Sequence, residues 1–522
     1  LAQVLQDHTG TWAREDQYSY DDDGQLQSAS GAGLQVQFER DALGRTTAET
    51  VDASATQGFK HTVRHSYHAL GHRQSSFYPH APEVSWLTYG SGHVHQVLLG
   101  QEAVVDLSRD NLHRETGRQL LGVNPKMPPI TLSRSYDAMG RLSDMLVLPA
   151  KAIPGQSISG QSPEEPNPEI PQLMDLSRHH HYNRIGQLDH IEHLRLHPPA
   201  QPWQPPQRQT HRSQRYGYDA QYRLASEAVH SVGDDGRAVG QHEQHWHYDN
   251  AGNRIHPDDT RYRPLERAAP GNRLHRSAQA RYRHDAWGNV VQIDHTAGPH
   301  KGQQVRLAYD GEHRLLVSER IQTGTDGQRH SVLTCYHYDP MSRRMGKQHL
   351  KIVKANESQS SPSKTSLQIQ SSLWFGWDGD RMVTMQNESQ ASTTIYEPES
   401  FVPMLRVDKQ LQADERRAKG ETRIYHVHCN YLGTPEALIE QSSLQLVWQT
   451  ELDPWGQTQR EYNPHNLVQP IRMQGQQLDA ETGLFYNRYR YYDPAGGRYV
   501  TQDPIGLEGG VNMYGYVDSD PT

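Results

Sequence analysis

The first pattern in the chain is a short polar–apolar alternation that ends at an aromatic residue and gives way to a turn. The segments YSYDDDGQL (residues 18–26) and SYDAMGRL (residues 135–142) both show it. An alternation with a period of two residues predicts a β-strand with one face against a core. The Asp that follows can accept backbone N–H groups in a turn, and the Gly can adopt a positive φ. The pattern therefore predicts two strands joined by a tight turn.

This unit, Tyr-Asp-x-x-Gly-Arg/Asn-Leu, recurs throughout the sequence. Its copies lie at residues 18–26, 38–46, 67–73, 109–115, 135–142, 182–188, 218–224, 248–254, 284–290, 309–315, 338–344 and 377–382. A single hairpin cannot bury a face, whereas stacked hairpins form a continuous sheet. We therefore predict an all-β chain in which the tyrosines stack along the line of turns.

The repeated aspartates are predicted to be turn residues: Asp21, Asp137, Asp219, Asp249 and Asp310. Calcium binding and catalysis are the alternatives for an Asp that recurs in this way. One Asp per repeat lacks the ligand density of a calcium loop. Turn formation is therefore the favoured interpretation.

Three stretches interrupt the repeat. Residues 149–173 and 198–208 are rich in Pro, and residues 355–370 are rich in Ser. Pro-rich segments can serve as ligands of peptide-binding modules, but insertions in hairpin loops are commoner because surface loops tolerate length. The repeat resumes after each stretch, so we predict loop insertions rather than domain boundaries.

Composition supports a polar, aromatic fold. Hydrophobic residues make up 34% of the chain, below the roughly 45–50% of an average domain. Disordered chains are poor in aromatics, whereas this chain has 27 Tyr and 9 Trp. The net charge of −9 has no basic stripe beside it, so a nucleic-acid-binding surface is not expected. The 32 His are interpreted as surface residues, with a response to acidic pH as the alternative.

Cysteine usage and the chain ends add limits on compartment. Two Cys exclude a disulfide scaffold and favour folding in a reducing cytoplasm. No apolar run is long enough to span a bilayer. The start, LAQVLQDHTGTW, has neither a signal-peptide pattern nor an initiator Met, so we expect the middle of a longer protein.

The histidines of residues 177–197 are candidate metal ligands. Successive side chains of a strand point to opposite faces, so His179 and His181 can converge, while His180 cannot join them. A site would need a further ligand from another strand. No metal or other cofactor is predicted. Neither a G-x-S-x-G elbow nor a G-x-x-x-x-G-K-[ST] phosphate loop is present.

The repeats resemble the RHS/YD-repeat family, whose members include bacterial polymorphic toxins, insecticidal toxin complexes and teneurins. The resemblance implies hairpins forming a spiralling sheet of a large hollow shell, or cocoon, around a toxic polypeptide. Residues 1–422 would belong to this shell and residues 423–522 to an RHS-associated core that closes it. A hollow shell has two polar walls, which fits the low aliphatic content.

Within that core, Asp503-Pro504-Ile505-Gly506 matches the first Asp-Pro-x-Gly of the family's autoproteolytic module. The resemblance implies that a pair of aspartates cleaves the chain after a second Asp-Pro-x-Gly-Leu and releases the toxin. Two close carboxylates can act as base and acid. Asp503 is the residue we assign as catalytic, and its partner is expected just past the end of this sequence. Asp493 also fits Asp-Pro-x-Gly, and Asp518 and Asp520 are alternative partners.

The same resemblance implies a set of partners and a route. Cargo would be a C-terminal toxin domain, and the N-terminal half of the same shell would complete the wall. Candidate delivery partners are a type VI secretion spike or toxin-complex components, with synthesis in the bacterial cytoplasm followed by delivery to target cells. A cognate immunity protein would bind the toxin rather than this chain. At most a single-turnover aspartic self-cleaving protease is expected.

Two other interpretations remain open at this stage. The first is an interaction or adhesion scaffold without catalysis, as in teneurin-like or wall-associated proteins. The second is a β-propeller, whose blades of roughly 40–45 residues do not match the shorter, irregular spacing of the repeat.

Overall fold

The computed structural model describes residues 2–6, 12–54, 58–124, 128–148, 176–197, 207–233, 237–255, 270–324, 329–354, 365–413, 419–517 and 520–521. Within these ranges nearly all regular structure is β-strand, arranged in four antiparallel sheets. The all-β prediction is confirmed.

The first sheet has 18 strands in the described part of the chain, and each strand pairs with the next one in sequence. Its strands are β1 (Ala2–Gln6), β2 (Trp12–Tyr20), β3 (Leu26–Gly31), β4 (Leu34–Arg40), β5 (Thr46–Ala53), β6 (Phe59–Tyr67), β7 (Arg73–Phe77), β8 (Val84–Tyr89), β9 (His93–Leu99), β10 (Glu102–Arg109), β11 (Glu115–Leu120), β12 (Ile130–Tyr136), β13 (Leu142–Leu148), β14 (Ser177–Tyr182), β15 (Leu188–His197), β16 (Gln207–Tyr218), β17 (Leu224–Val232) and β18 (Ala238–His245).

A short pair follows, β19 (His247–Tyr248) and β20 (Arg254–Ile255). The second large sheet is again a meander, of 14 strands within the described ranges. Its strands are β21 (Ala280–His284), β22 (Val290–His295), β23 (Gln303–Tyr309), β24 (Leu315–Thr323), β25 (Arg329–Tyr338), β26 (Arg344–Lys354), β27 (Thr365–Asp378), β28 (Arg381–Gln386), β29 (Gln390–Tyr396), β30 (Pro403–Gln410), β31 (Thr422–Cys429), β32 (Pro435–Glu440), β33 (Leu446–Leu452) and β34 (Thr458–Tyr462).

The C-terminal sheet is small. It contains β35 (Gln477–Asp479), β36 (Leu484–Asn487), β37 (Arg490–Asp493) and β38 (Arg498–Tyr499).

The turn at Asp41 shows how one repeat unit is held together. Asp41 Oδ1 accepts the backbone N–H groups of Leu43 and Arg45 at 3.0 and 3.1 Å. Its Oδ2 accepts Arg45 Nε at 2.7 Å, and the guanidinium lies over the ring of Tyr67 at 4.7 Å. Tyr67 in turn donates its hydroxyl to the carbonyl of Thr46 at 2.7 Å. Turn, arginine and the next tyrosine therefore form one connected unit.

The same unit recurs along both large sheets. All five aspartates predicted to form turns accept the N–H groups two and four residues ahead: Asp21, Asp137, Asp219, Asp249 and Asp310. An arginine lies over the next tyrosine in the pairs Arg114/Tyr136, Arg141/Tyr182, Arg223/Tyr248 and Arg314/Tyr338. The expectation that tyrosines stack on each other along the turns is therefore wrong for these repeats. An arginine, held by the preceding aspartate, stacks on each ring instead.

The two large sheets pack face to face. One apolar cluster joins Val36 and Val51 of the first sheet to Val305 and Phe375 of the second. Two further clusters continue the contact, from β6–β10 against β28–β30 and from β11–β13 against β32. A buried ion pair between Glu49 and Arg343 ties the sheets together within this interface.

The C-terminal sheet docks on the second sheet through apolar contacts and buried charges. Arg344 Nη1 lies 2.5 Å from Asp479 Oδ2, and Lys347 Nζ lies 3.0 Å from Asp479 Oδ1 and 2.9 Å from Glu481 Oε2. All four side chains are buried. Burial alone would raise the pKa of Asp479, but Arg344 and Lys347 hold it below its usual value.

The loop insertions and the domain boundary predicted from the sequence do not coincide with the strand boundaries of the structure. Residues 149–173, 198–206 and 355–364 lie outside the described residues. Residues 207–208, predicted to be loop, begin β16, and residues 365–370 begin β27. The second sheet continues through the predicted boundary at 422/423, because β30 pairs with β31. That boundary stays a prediction.

Two predictions from the sequence concern disulfides and membrane-spanning segments. Cys335 and Cys429 are both free thiols. Among the described residues, no helix is long and apolar enough to cross a bilayer.

Candidate functional site

Asp503 lies in a tight turn just after β38. Its Oδ1 accepts the N–H of Ile505 at 3.1 Å, and its carbonyl accepts the N–H of Gly506 at 2.9 Å. Gly506 has φ = 61°, a conformation that favours glycine. Asp503 N–H donates to the carbonyl of Met513 at 2.9 Å. The Asp-Pro-x-Gly spacing is thus first of all the spacing of a stable turn.

The second carboxylate oxygen of Asp503 faces a guanidinium. Arg490 Nη1 lies 3.0 Å from Asp503 Oδ2, and the Arg490 guanidinium stacks on Tyr499 at 3.6 Å. Gly509 leaves room for this oxygen, because a Cβ at this position would lie 2.7 Å from Oδ2. The carboxylate is therefore held by two groups, the N–H of Ile505 and the guanidinium of Arg490.

Asp503 lies on the wall of a cavity of about 490 Å³ between the C-terminal and second sheets. Trp377, Phe401 and Tyr489 contribute aromatic surface to it. Asp380 lines the same cavity and pairs with Arg488 at 3.1 Å. Among the described residues that line this cavity, Asp380 is the second acidic one. It is largely exposed, at 69% of its side-chain area.

Asp493, the second match to Asp-Pro-x-Gly, has a different environment. It is buried, its Oδ2 accepts the hydroxyl of Tyr282 at 2.6 Å, and its Oδ1 accepts the N–H of Ala495 at 2.9 Å. Burial and the neighbouring Asp493 together hold the pKa of Tyr282 well above its usual value. These contacts are those of a structural turn residue.

The candidate partners of Asp503 are placed elsewhere or not described. Asp520 accepts Gln187 Nε2 at 3.3 Å at the turn between β14 and β15, and Pro521 lines a different cavity, beside Asp453 and Tyr431. Asp518 lies outside the described residues. The described part of the chain thus contains Asp503 and its support, and its catalytic partner stays a prediction.

The histidine-rich stretch follows the predicted alternation. His179 and His181 share one face, with ring centroids 4.3 Å apart. His180 and His193 lie buried on the opposite face, and burial lowers the pKa of His180 to about 4. On the accessible face, His181 meets His190 of the neighbouring strand.

Two residues of the Asp503 site were missed in the sequence, Arg490 and Asp380. Arg490 belongs to the RYRYYD segment, whose arginines lie in the repeat's own tyrosine-rich context and carry no separate signal. Asp380 lies in the WDGDRM turn and reaches the cavity only through the docking of two sheets. Asn430 forms a turn of the same kind as the repeat aspartates, because its Oδ1 accepts the N–H groups of Leu432 and Thr434 at 3.0 Å.

Comparison with known proteins agrees with this architecture. The family model described as Teneurin YD-shell matches residues 411–521. The toxin protein Tse5 of Pseudomonas aeruginosa is 33% identical over 97% of this chain, which covers 37% of Tse5. The double-stranded DNA deaminase toxin A of Burkholderia cenocepacia is 29% identical over 92% of this chain and 29% of its own length. The chain therefore spans about a third of these relatives.

A solved structure supports the fold independently. The crystal structure of TcdB2-TccC3 without its hypervariable C-terminal region superposes on the whole chain, covering 27% of that protein, with a TM-score of 0.58 at 13% identity. At this identity the similarity shows the fold alone. The repeat units, the meandering sheets and these similarities lead to one conclusion: the chain belongs to the RHS/YD-repeat family and has its all-β YD-shell fold.

Proposed function

We propose that this chain is the C-terminal half of a shell that encloses a C-terminal toxin and releases it by aspartyl autoproteolysis. Two similar proteins are named as toxins, and each is much longer than this chain. The observation that carries the proposal is the setting of Asp503, a carboxylate fixed by Arg490 and Ile505 on the wall of a cavity of about 490 Å³.

The chemistry assigned to Asp503 is that of a general base. The carboxylate accepts a proton from a water, whose oxygen attacks the carbonyl carbon of the scissile peptide bond. A second, protonated aspartate donates its proton to the leaving amide nitrogen, so one water is consumed and the peptide bond breaks. We place the cleaved bond after an Asp-Pro-x-Gly-Leu motif just past this sequence. Arg490 acts as a positioning residue.

The test is self-cleavage of the full-length parent protein, followed on a denaturing gel. Asp503→Asn keeps the oxygen that accepts the Ile505 N–H and removes the charge, so the turn survives while cleavage is lost. Asp110→Asn, in a repeat turn with its own arginine, is the matched control and leaves cleavage unchanged. An uncut wild-type protein, or equal cutting in Asp503→Asn, would contradict the proposal.

Two further variants identify the partner acid. Loss of cleavage in Asp380→Asn would assign the role to the residue that shares the cavity. Loss in Asp520→Asn would assign it to the terminal segment. Cleavage in both variants leaves the role with Asp518 or with an aspartate past residue 522, and Asp518→Asn distinguishes the two.

A second candidate function is an interaction scaffold without catalysis. It is favoured by the match to the Teneurin YD-shell model and by the structural contacts that both oxygens of Asp503 already make. Under this alternative the wild-type parent stays intact, and Asp503→Asn changes only its stability.

A further inference from the structure

One group of side chains among the described residues has the composition and spacing of a metal site. It consists of His181, His190 and Glu192, whose candidate ligand atoms all lie within 4.8 Å of one another. The sheet register explains the meeting, because His181 pairs directly with His190 across β14 and β15. Glu192, two residues farther along β15, points to the same face.

The hydrogen bonds around this group leave the metal-binding nitrogens available. His190 Nδ1 lies 2.8 Å from Asp189 Oδ2, and His179 Nδ1 lies 2.8 Å from Asp144 Oδ1. A carboxylate on one ring nitrogen is the usual support of a metal-binding histidine, because it fixes the tautomer and leaves Nε2 free for the metal. His181 directs Nε2 toward Glu192 Oε2 at 3.4 Å.

We propose that His181, His190 and Glu192 bind a divalent transition-metal ion of the Zn²⁺ class. The fourth ligand is either His179, whose ring contacts that of His181, or a water molecule. Two imidazoles with a carboxylate suit Zn²⁺, Ni²⁺ or Cu²⁺, whereas Mg²⁺ and Ca²⁺ require mainly oxygen ligands.

The site is open to solvent, and its two histidine rings must turn before they can share one ion. The side chains of His181, His190 and Glu192 are 36%, 17% and 34% exposed, whereas the opposite face of the same strands is packed. The rings of His181 and His190 are parallel, with centroids 3.8 Å apart, so metal binding requires rotation of the rings toward a common point. Arg208 shares Asp144 Oδ1 at 2.8 Å, which keeps that carboxylate a support of His179 rather than a ligand.

Binding would cross-link one hairpin. His181 and His190 flank the turn at residues 183–187, so one ion would join both strands and hold their register. The bound ion would therefore stabilise the folded chain against unfolding by an amount that grows with the logarithm of its free concentration once this exceeds the dissociation constant.

The test is Zn²⁺ binding by the 522-residue chain in competition with a colorimetric zinc chelator. The wild type is expected to bind one equivalent of Zn²⁺ more tightly than the scattered histidines of the chain bind this ion. His181→Gln and Glu192→Gln are each expected to raise the dissociation constant of this Zn²⁺ ion by about tenfold or more. Asp189→Asn is expected to raise it by about 10–100-fold. Circular dichroism confirms that each variant is folded.

The chain supplies a matched control. His93 and His113 also stack with centroids 3.8 Å apart, at 10°, but their nitrogens contact the hydroxyls of Ser91 and Tyr89. The double variant His93→Gln/His113→Gln therefore keeps the stoichiometric site. The proposal is overturned if this control loses as much Zn²⁺ affinity as His181→Gln or Glu192→Gln does. It is also overturned if the wild type binds no stoichiometric equivalent of Zn²⁺, or if it binds Mg²⁺ as tightly as Zn²⁺. A second readout, a rise in Tm with Zn²⁺ that Glu192→Gln abolishes, covers the case in which His181→Gln does not fold.

Discussion

At the scale of the residue, the recurring aspartate combines two tasks. One oxygen caps the backbone of the turn, and the other holds an arginine against the next tyrosine. Asn183 performs only the first task, with Gln187 in the arginine's place, and its turn still forms. The two tasks are therefore separable: the turn does not need the charge, and at this position Gln187 contacts the next hairpin instead, because its Nε2 donates to the carbonyl of Tyr222 at 2.9 Å.

Replacement of Asp310 tests this division. Asp310→Ala removes both the two backbone hydrogen bonds and the ion pair with the nearly buried Arg314, so we expect a loss of about 3–5 kcal/mol in the free energy of unfolding. Asp310→Asn retains the backbone bonds and should cost about 1–2 kcal/mol. Urea denaturation measures both. Equal costs would show that the cap and the ion pair are not separable.

At the scale of the element, strands of the two large sheets approach closely at a glycine. Gly376 of β27 faces His61 of β6, and a Cβ at this position would lie 2.2 Å from the imidazole. His61 itself is fixed by a contact of 3.0 Å with Thr384 Oγ1. Neither side can give way easily, so the absence of a side chain sets the separation of the sheets here.

Gly376→Ala should therefore destabilise the protein by about 1–3 kcal/mol, the usual cost of overpacking. Gly240 of β18 is the control, because a Cβ there meets nothing within 4 Å. Gly240→Ala is expected to be neutral or to stabilise by about 0.5–1 kcal/mol, since alanine restricts the unfolded chain. Thermal unfolding gives the Tm of both variants, and similar changes in Tm would refute the steric argument.

The C-terminal sheet offers a second test at this scale. Asp479→Asn would leave Arg344 and Lys347 buried with one carboxylate fewer, at a cost of about 3–5 kcal/mol. Because the loss falls on the docking contact, hydrogen exchange should accelerate in β35–β38 before it does in the first sheet. Uniform acceleration through both sheets would show instead that the whole fold opens as one unit.

At the scale of the whole molecule, buried histidines make stability depend on pH. Burial lowers the pKa of His61 and His428 to about 3 and that of His426 to about 4. Unfolded histidines titrate near 6.5, so between pH 6.5 and about 4 the unfolded chain binds protons that the folded chain does not. Their contribution to stability is present above pH 6.5 and is lost as the pH falls. Glu227 acts oppositely, because burial and Asp453 raise its pKa to about 7, so its contribution is lost as the pH rises through 7.

His428→Gln should flatten the acid side of this profile. Each buried histidine contributes a slope of up to about 1.4 kcal/mol per pH unit in that window. The urea midpoint of the variant should therefore fall less between pH 6.5 and 4.5 than that of the wild type, even if its stability at neutral pH is lower. If the urea midpoints of the variant and the wild type fall equally with pH, His428 is not a source of the pH dependence of stability.

The repeat turns could be predicted because their determinants are local. Asp310 acts on residues no more than four positions ahead, so the sequence alone predicts these turns and the all-β class. Contacts between distant parts could not be predicted. The Glu49–Arg343 pair and the entry of Asp380 into the Asp503 cavity depend on how separate sheets pack, which no spacing in the sequence reveals. The predicted stacking of tyrosines on one another is wrong because the arginine four residues after the aspartate of the preceding turn covers the ring.

The consecutive pairing of strands has a mechanical consequence. In both large sheets, throughout the described ranges, each strand pairs only with its neighbours in sequence. The hydrogen bonds of antiparallel strands lie perpendicular to the strands. A force that draws one chain end away from the sheet edge therefore loads these bonds a few at a time, as in unzipping, rather than all at once in shear. An end hairpin can therefore come away before the rest of the sheet unfolds, and each step breaks the ladder of one strand pair together with that hairpin's share of the apolar contact between the two large sheets.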